Sequence, residues 1–404
     1  MELVPILLIG VVVLSILGTK LWFKFIPPLL SSSGVSSAAW TFPTLLGSAL
    51  IIAWAAEVAQ FIISQGMALA LLAWLQTLPE FAVEAVLAWN RDIPNMTANF
   101  TGSLRLLVGL GWTLIFFTAS YFNRRKNGEF LREIVLDDEH CIEVLGLMVP
   151  TAYFFLIYFK ATLTLYDSAI LISFYILYLW VLRKLPPKKE DETEMLHSIP
   201  KRVMRYEMKW RKVFVLLGFL VGGVILYFVA EPFLESMKAL ALTFGISTFI
   251  FIQWVAPFLS EFPEKVSAFY WAQTIRLSSM ALMNMISSNI NQWTVLVGMI
   301  PIVYCLSLKG IALIPFDEFH RTEILLTMIQ SILGYIYLLK MRFKWHNALV
   351  LFTLWLVQFL FPSVREEIIF VYIGFIALEF LSNAKNMIWH RKLRWMFKNY
   401  VFSS

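Results

Sequence analysis

The sequence predicts an all-α fold: a polytopic membrane helical bundle of about 12 spans containing two inverted-topology repeats with Pro-interrupted helices. First, 59% of the 404 residues are hydrophobic and only 15% are charged, whereas soluble domains are roughly 45 to 50% apolar. Second, several apolar windows exceed the ~20 residues that a helix needs to cross a hydrocarbon core, and no sustained alternation indicates a barrel. Third, a Pro-Glu pair recurs inside a long apolar run in each half of the chain.

The predicted spans follow the apolar runs in chain order. The first one begins at the N-terminus, because MELVPILLIGVVVLSILG has neither the basic region nor the small-residue cleavage pattern of a signal peptide. The predicted spans are residues 3–18, 42–64, 66–89, 99–120, 142–160, 164–182, 213–233, 240–272, 278–307, 322–340, 347–362 and 367–384.

Basic residues mark the predicted topology. Clusters follow the even-numbered spans, at 124–126 after the fourth, 183–205 after the sixth, 340–344 after the tenth and 391–394 after the last. By the positive-inside rule, these loops and both termini are predicted to be cytoplasmic. Topology therefore explains the net charge of +6, and nucleic acid is not a predicted partner.

A hydrophilic stretch divides the chain almost in half. Residues 183–212 contain prolines and mixed charges without apolar periodicity at their start, which is typical of a linker. We predict an N-terminal transmembrane half over 1–182 with the first repeat and a C-terminal transmembrane half over 213–404 with the second. The linker between them is predicted to be cytoplasmic.

Each half contains a Pro-Glu helix followed by a helix that opens with Asn and small polar residues. The first pair reads LPEFAVEAVLAW and then TANFTGSLRLLVGLG; the second reads FPEKVSAFYWA and then MALMNMISSNINQWTVLVGM. The Pro-Glu helices are the third and eighth predicted spans, so they cross the membrane in opposite directions. Inverted repeats with interrupted helices are typical of secondary transporters, whose substrates bind near the midplane.

The proline and the acid of each pair predict a cation site. Proline removes a backbone hydrogen bond, and the carbonyls it frees at membrane depth must line a polar cavity or be buried. A lone acid at this depth costs roughly 2.5 to 3.5 kcal/mol. We therefore interpret Glu80 and Glu264 as ion ligands, with a buried structural hydrogen bond as the alternative. Lys265 is a poor partner for Glu264, because adjacent helical residues do not face each other.

These motifs resemble those of the calcium/cation antiporter superfamily, which includes the sodium/calcium exchangers. Each inverted repeat of that family has a small-polar-Leu-Pro-Glu motif on one helix and an Asn-x-x-Gly-Ser-Asn-like motif on the next. The matching residues here are Gln76, Thr77, Leu78, Pro79 and Glu80 with Asn99, Gly102 and Ser103, and Ser260, Glu261, Phe262, Pro263 and Glu264 with Asn284, Ser287, Ser288 and Asn289.

The resemblance implies roles for individual residues. Glu80 and Glu264 would be the central Ca²⁺ ligands. Thr77 and Ser260 would add oxygens beside them, and Ser103 and Ser288 would line the same cavity from the neighbouring helices. This donor set agrees with the chemistry of Ca²⁺, which takes roughly six to eight hard oxygen ligands.

The sequence departs from the family pattern mainly in the first repeat. Where the family usually has Asn or Asp four residues beyond the motif serine, this chain has Leu107 in the first repeat and Gln292 in the second. Leu104 replaces a motif Asn, and Arg105 stands where an apolar residue is expected. Fewer ligands in the first repeat indicate fewer bound sodium ions, or proton coupling through the glutamates.

Two further acids accompany the motif acids. Glu84 lies four residues after Glu80 on the same helix face, so it either extends an ion path, lies in a vestibule or pairs with Arg105. Glu261 takes the place of a small polar residue three before Glu264. It is either an added ligand or the carrier of a permanently bound proton.

The predicted function is secondary active antiport of Ca²⁺, or a similar divalent cation, for Na⁺ or H⁺ by alternating access around a midplane di-glutamate site. Two alternatives remain: a transport-inactive homologue acting as an ion sensor or scaffold, or a monovalent cation/proton antiporter on the same fold. The predicted spans contain no paired aspartates and the sequence has no His-Glu-x-x-His, so an enzyme is not predicted. No cofactor is predicted besides the transported ions. Inorganic cations and the lipid bilayer are the predicted partners.

Overall fold

The structure is a computed structural model. It describes residues 34–59, 61–62, 70, 73–74, 77–136, 140–184, 196, 198–273 and 275–383. The first predicted span and Gln76 lie outside the described residues, as does part of the predicted linker.

The first half is a series of helices connected by short strands. Helix starts and ends follow local signals: the Asp92 carboxylate accepts a hydrogen bond from the backbone N–H of Asn95 at one start, and Gly128 adopts a left-handed conformation at one end. The described elements are α1 (Ala38–Ala59), α2 (Leu78–Trp89), α3 (Ile93–Leu106), the first π segment (Leu107–Gly111), α4 (Trp112–Asn127), β1 (Glu133–Val135), α5 (Cys141–Lys160), β2 (Thr162–Leu163) and α6 (Leu165–Leu182).

The second half repeats the order of helix, π segment, helix, strand, helix, strand and helix. A short helix and a long one precede this series, and a C-terminal helix follows it. The described elements are α7 (Ser198–Val203), α8 (Met208–Thr243), α9 (Thr248–Ser260), α10 (Phe262–Ala272), α11 (Ile275–Asn291), the second π segment (Gln292–Leu296), α12 (Val297–Leu308), β3 (Ile314–Pro315), α13 (Glu318–Leu338), β4 (Arg342–Lys344), α14 (Trp345–Leu360) and α15 (Arg365–Asn383).

The predicted spans 213–233 and 240–272 are wrong in their boundaries. Helix α8 continues over 36 residues with Pro232 inside it, because membrane helices tolerate proline where neighbouring groups satisfy the freed carbonyl. The remaining residues up to 272 divide at Glu261 into α9 and α10. Hydropathy misses this break because the residues on both sides of it are apolar.

Among the described residues, five helices are long and apolar enough to cross a membrane, or six if the bent pair α14 and α15 forms one broken span. The axes of that pair differ by 116°. The total of about 12 spans stays a prediction. The short pieces α2, α9 and α10 have 12, 13 and 11 residues. At about 1.5 Å per residue each is too short to cross the hydrocarbon core alone.

The pairing of the short strands shows that the repeats are inverted. Strand β1, the first of its half, pairs with β4, the second of the other half, and β2 pairs with β3. Helix α5 separates β1 from β2, and α13 separates β3 from β4. Equivalent strands therefore lie on opposite sides of the bundle. This pairing also brings the basic loops at 124–126 and 340–344 to one side, as the predicted topology requires.

Helices α3 and α9 approach closely at Gly102. A Cβ atom at this position would lie 1.8 Å from the backbone oxygen of Gln253. We expect Gly102→Ala to lower the free energy of unfolding by about 1 to 3 kcal/mol, since the overpacked helices must shift. Thermal unfolding in detergent measures this change.

The matched control is Gly223→Ala in α8, where an added Cβ would meet nothing within 4 Å. This variant is expected to be neutral or to stabilise the helix by up to about 1 kcal/mol, because alanine has the higher helix propensity. Equal melting temperatures for the two alanine variants would contradict the close approach at Gly102.

Candidate functional site

Each half breaks its helix at the same place relative to the Pro-Glu pair. Thr77 (φ −88°, ψ 0°) and Glu261 (φ −91°, ψ 5°) occupy the break, and a new helix starts at the next residue. The prolines therefore lie in a first turn, where the missing N–H costs nothing, and do not kink a helix interior. Glu80 and Glu264 follow in the same first turn, near the positive end of the helix dipole.

Glu80 connects the two halves. Its Oε1 accepts a hydrogen bond from Asn99 Nδ2 at 2.5 Å, and its Oε2 accepts one from Ser260 Oγ of the second half. Asn99 Nδ2 also donates to Glu84 Oε2 at 2.7 Å. Of the three alternatives for Glu84, pairing with Arg105 is wrong, because Asn99 holds both acids of α2 and Arg105 pairs with Glu323.

Two acids of the second half have separate partners. Glu264 Oε1 accepts a hydrogen bond from Ser288 Oγ at 2.5 Å. Glu261 Oε1 accepts from Ser103 Oγ of the first half and from Gln292 Nε2 at 2.7 Å. Ser103 of the first repeat and Ser288 of the second thus both contact acids of the second repeat.

Lys265 also belongs to this cluster, although the sequence analysis considered it only as a partner for Glu264. Its Nζ pairs with Glu261 Oε2, four residues earlier. Residues at this spacing share a helix face, and helical hydrogen bonding resumes at the break with Lys265 N donating to the Glu261 carbonyl. Glu261 and Lys265 also interact electrostatically with Glu80 and Glu264.

Thr77 completes the contact between halves. Its hydroxyl donates to the backbone oxygens of Ala73 and Trp74 at 3.1 and 3.0 Å, and accepts from Asn291 Nδ2 at 2.6 Å. The sequence analysis did not select Asn99 or Asn291 as site residues. The signal for Asn291 is the run of amides and hydroxyls in NMISSNINQ.

The nine predicted site residues are all described and all buried, each at most 1% exposed. Several side-chain oxygens of this cluster accept no hydrogen bond from the described residues: Glu84 Oε1, Asn99 Oδ1, Glu264 Oε2, Asn291 Oδ1 and Gln292 Oε1. Buried acceptors without donors are costly. Carboxylate and amide oxygens are the hard ligands that Ca²⁺ prefers.

The oxygens that could bind a cation in this cluster belong to several kinds of side chain. Within the described part of the chain, no group of three or more His, Cys, Asp and Glu side chains could hold a metal ion by itself. Any cation here would be shared between carboxylate, hydroxyl and amide oxygens.

A π segment begins four residues after the motif serine in each half, at Leu107 and at Gln292. Such segments are rare and frequent at functional sites. Gln292 is the first residue of its π segment and contacts Glu261. Leu107 offers no polar atom, so the first repeat supplies fewer oxygens, as the sequence indicated.

Arg105 belongs to a second buried polar cluster. Its Nη2 lies 2.5 Å from Glu323 Oε2, and its Nη1 donates to Gln358 Oε1 at 3.1 Å. Arg365 Nη1 lies 2.5 Å from Glu323 Oε1, and Gln253 Nε2 donates to Glu323 Oε2 at 2.5 Å. This cluster connects α3 and α9 to α13, α14 and α15.

An inverted-repeat membrane bundle whose broken helices bring acids of both halves into one buried polar cluster has the architecture of secondary transporters. The family model described as sodium/calcium exchanger protein matches residues 33–184 and 214–364, most of the chain. The chain therefore belongs to the sodium/calcium exchanger protein family.

Solved structures agree with this assignment. The H⁺/Ca²⁺ exchanger CAX is similar with 29% identity and a TM-score of 0.86, over 98% of this chain and 98% of that chain. The sodium-calcium exchanger NCX_Mj, soaked with 100 mM Na⁺ and 10 mM Sr²⁺, has 18% identity and a TM-score of 0.53 over 80% of this chain and 98% of that chain. The latter likeness shows the fold alone. Comparison with curated protein sequences found no match.

Proposed function

We propose that this protein is a secondary active antiporter that exchanges Ca²⁺, or a similar divalent cation, for H⁺ by alternating access around Glu80 and Glu264. The observation that carries the proposal is the contact of Glu80 with Ser260, by which an acid of the first half reaches the break of the second. Inverted repeats place their shared substrate site where the halves meet.

The binding step follows from the donors present. Glu80 and Glu264 supply the charge that neutralises a divalent ion, and Ser260, Ser288 and Asn99 hold their carboxylates in place until the ion arrives. Further oxygens lie in the same cluster, from Thr77, Ser103, Glu84 and Gln292. Together they offer the roughly six to eight oxygens that Ca²⁺ takes.

The nature of the counter-ion follows from the free-energy cost of leaving the buried carboxylates charged after the cation has left. Two buried carboxylates that lose their cation are neutralised most cheaply by protons, since a buried charge without a partner is costly. The likeness to an H⁺/Ca²⁺ exchanger over nearly the whole chain supports the same counter-ion. Leu107 supports it further, because the first repeat offers no oxygen there for a second metal ion.

Alternating access requires some helices to move relative to α2 and α10, the helices that carry Glu80 and Glu264. Helix α8 packs along α1. At this contact Gly218 and Gly222 lie against Ala55 and Ile52. Small residues at this spacing allow close helix contact in lipid. We propose that the two long helices slide as a unit past α2 and α10, exposing the acids to each side in turn.

Ion flux in proteoliposomes tests the function. Vesicles loaded with Ca²⁺ are diluted into Ca²⁺-free buffer with a pH gradient, with a Na⁺ gradient or with neither. We expect Ca²⁺ efflux to be fastest when the outside is acidic, to be accompanied by proton entry in every condition, and to be unaffected by the Na⁺ gradient. Efflux driven by Na⁺ alone would contradict the proposal that H⁺ is the counter-ion. No efflux in any condition would favour the transport-inactive alternative.

A further inference from the structure

A buried lysine lies among the acids of the candidate site without a part in the proposed exchange. Lys265 is 5% exposed, and its ammonium contacts Glu261, which is fully buried. A buried ion pair is costly to form unless its geometry and additional hydrogen bonds compensate. We therefore expect the charges of this pair to have a function that two neutral side chains could not perform.

The first half has no equivalent of this pair. When the two Pro-Glu motifs are aligned, Glu261 takes the place of Thr77, and Lys265 takes the place of Phe81. The second half thus carries an acid and a base where the first carries a hydroxyl and an aromatic ring. Their opposite charges cancel, so the pair leaves the charge available to a transported ion unchanged.

Glu261 has the surroundings of a cation ligand. Ser103 and Gln292 donate to its Oε1 from α3 and the second π segment, while Oε2 faces Lys265. The ring of Phe258 also lies near the ammonium, its centroid 5.9 Å from Nζ. A carboxylate fixed in this way needs a positive partner, and the chain itself supplies one.

We propose that Lys265 is a tethered counter-cation: its ammonium occupies the position on Glu261 that a free Na⁺ or K⁺ would otherwise take, and so restricts exchange to the cation held by Glu80 and Glu264. This inference rests on the proposed exchange function. The compact point charge of an ammonium suits the place of a small cation better than a guanidinium would. The consequence is selectivity, because a monovalent ion finds the second acid already neutralised.

The test removes the ammonium and supplies free cations instead. Wild-type protein and Lys265→Met are purified in detergent, and their melting temperatures are compared in NaCl, KCl and choline chloride at equal ionic strength. We expect equal values for the wild type in the three salts. For Lys265→Met we expect a melting temperature higher by about 2 °C or more in NaCl or KCl than in choline chloride, because a bound ligand stabilises the folded state by mass action.

Two further variants separate the cation position from a general packing effect. Lys265→Arg keeps the positive charge, so we expect equal melting temperatures in the three salts, as for the wild type, although the larger guanidinium fits the position less well. Glu261→Thr combined with Lys265→Phe copies the residues of the first half and removes both charges, so we expect it to fold without a response to Na⁺ or K⁺.

Three results would overturn the inference: Lys265→Met melting equally in all three salts, Lys265→Met failing to fold in all three, or a wild type that responds to Na⁺ as strongly as the variant. The measurement needs no transport. A protein that fails the Ca²⁺ flux experiment and yet shows the salt response would refute the proposed exchange without refuting the cation position.

Discussion

Glu80→Gln is expected to weaken Ca²⁺ binding by about 100-fold, or roughly 2.7 kcal/mol, and to abolish pH-driven Ca²⁺ flux. The amide keeps the volume of the acid and one oxygen, so Asn99 or Ser260 still has an acceptor and the fold is retained. The variant lacks one of the two negative charges that neutralise a divalent ion. Ca²⁺-dependent thermal shifts measure the binding, and proteoliposome flux measures the transport.

Glu264→Gln should behave in the same way, because Glu264 takes the equivalent place in the inverted repeat. The matched control is Glu379→Gln in α15, where the acid lies 3.5 Å from Lys340 Nζ, away from the cluster. We expect the control to bind and transport Ca²⁺ like the wild type. Full Ca²⁺ binding by either Glu80→Gln or Glu264→Gln would remove that acid from the mechanism.

The parts of the site that the sequence predicts are those encoded locally. The Pro-Glu pair sets the helix start and carries its acid in the same turn, so Glu80 and Glu264 follow from a short motif. Ser103 and Ser288 follow from the next motif along the chain, and both contact acids in the structure. The inverted arrangement follows from the order of apolar runs, and the strand pairing confirms it.

The parts that the sequence does not predict depend on geometry between distant residues. The break at Glu261 lies inside an apolar run, so hydropathy gives no sign of it. The ion pair of Lys265 with Glu261 is different, because its four-residue spacing is local and the sequence analysis compared Lys265 only with Glu264. Arg105 reads as a departure from the motif until α13 and α15 bring Glu323 and Arg365 to it. No local pattern in a single sequence records such pairings.

Glu323→Ala is expected to lower the free energy of unfolding by about 3 to 5 kcal/mol, the cost of leaving buried charges unpaired. Glu323 is fully buried and receives hydrogen bonds or ion pairs from Arg105, Arg365 and Gln253. Its removal leaves two guanidinium groups without a counter-charge. The melting temperature in detergent measures the loss.

The matched control is Glu133→Ala, which breaks the pair of Glu133 and Arg342 at 2.9 Å, where the arginine side chain is 56% exposed. Exposed pairs contribute about 0 to 1 kcal/mol, so we expect a small change. The triple variant Glu323→Met, Arg105→Met and Arg365→Met should recover most of the stability lost in Glu323→Ala, because no charge is then left unpaired. Equal melting temperatures for Glu323→Ala and Glu133→Ala would show that the buried cluster around Glu323 does not stabilise the fold.

The stability prediction also bears on the site. Arg105 lies two residues after Ser103 on α3, and Gln253 lies on α9, the helix that ends at Ser260. Glu323 therefore fixes the two helices whose serines contact Glu261 and Glu80. In Glu323→Ala protein that remains folded at low temperature, we expect weaker Ca²⁺ binding although no proposed ligand has changed. Unaltered binding would show that the second cluster supports the bundle without positioning the site.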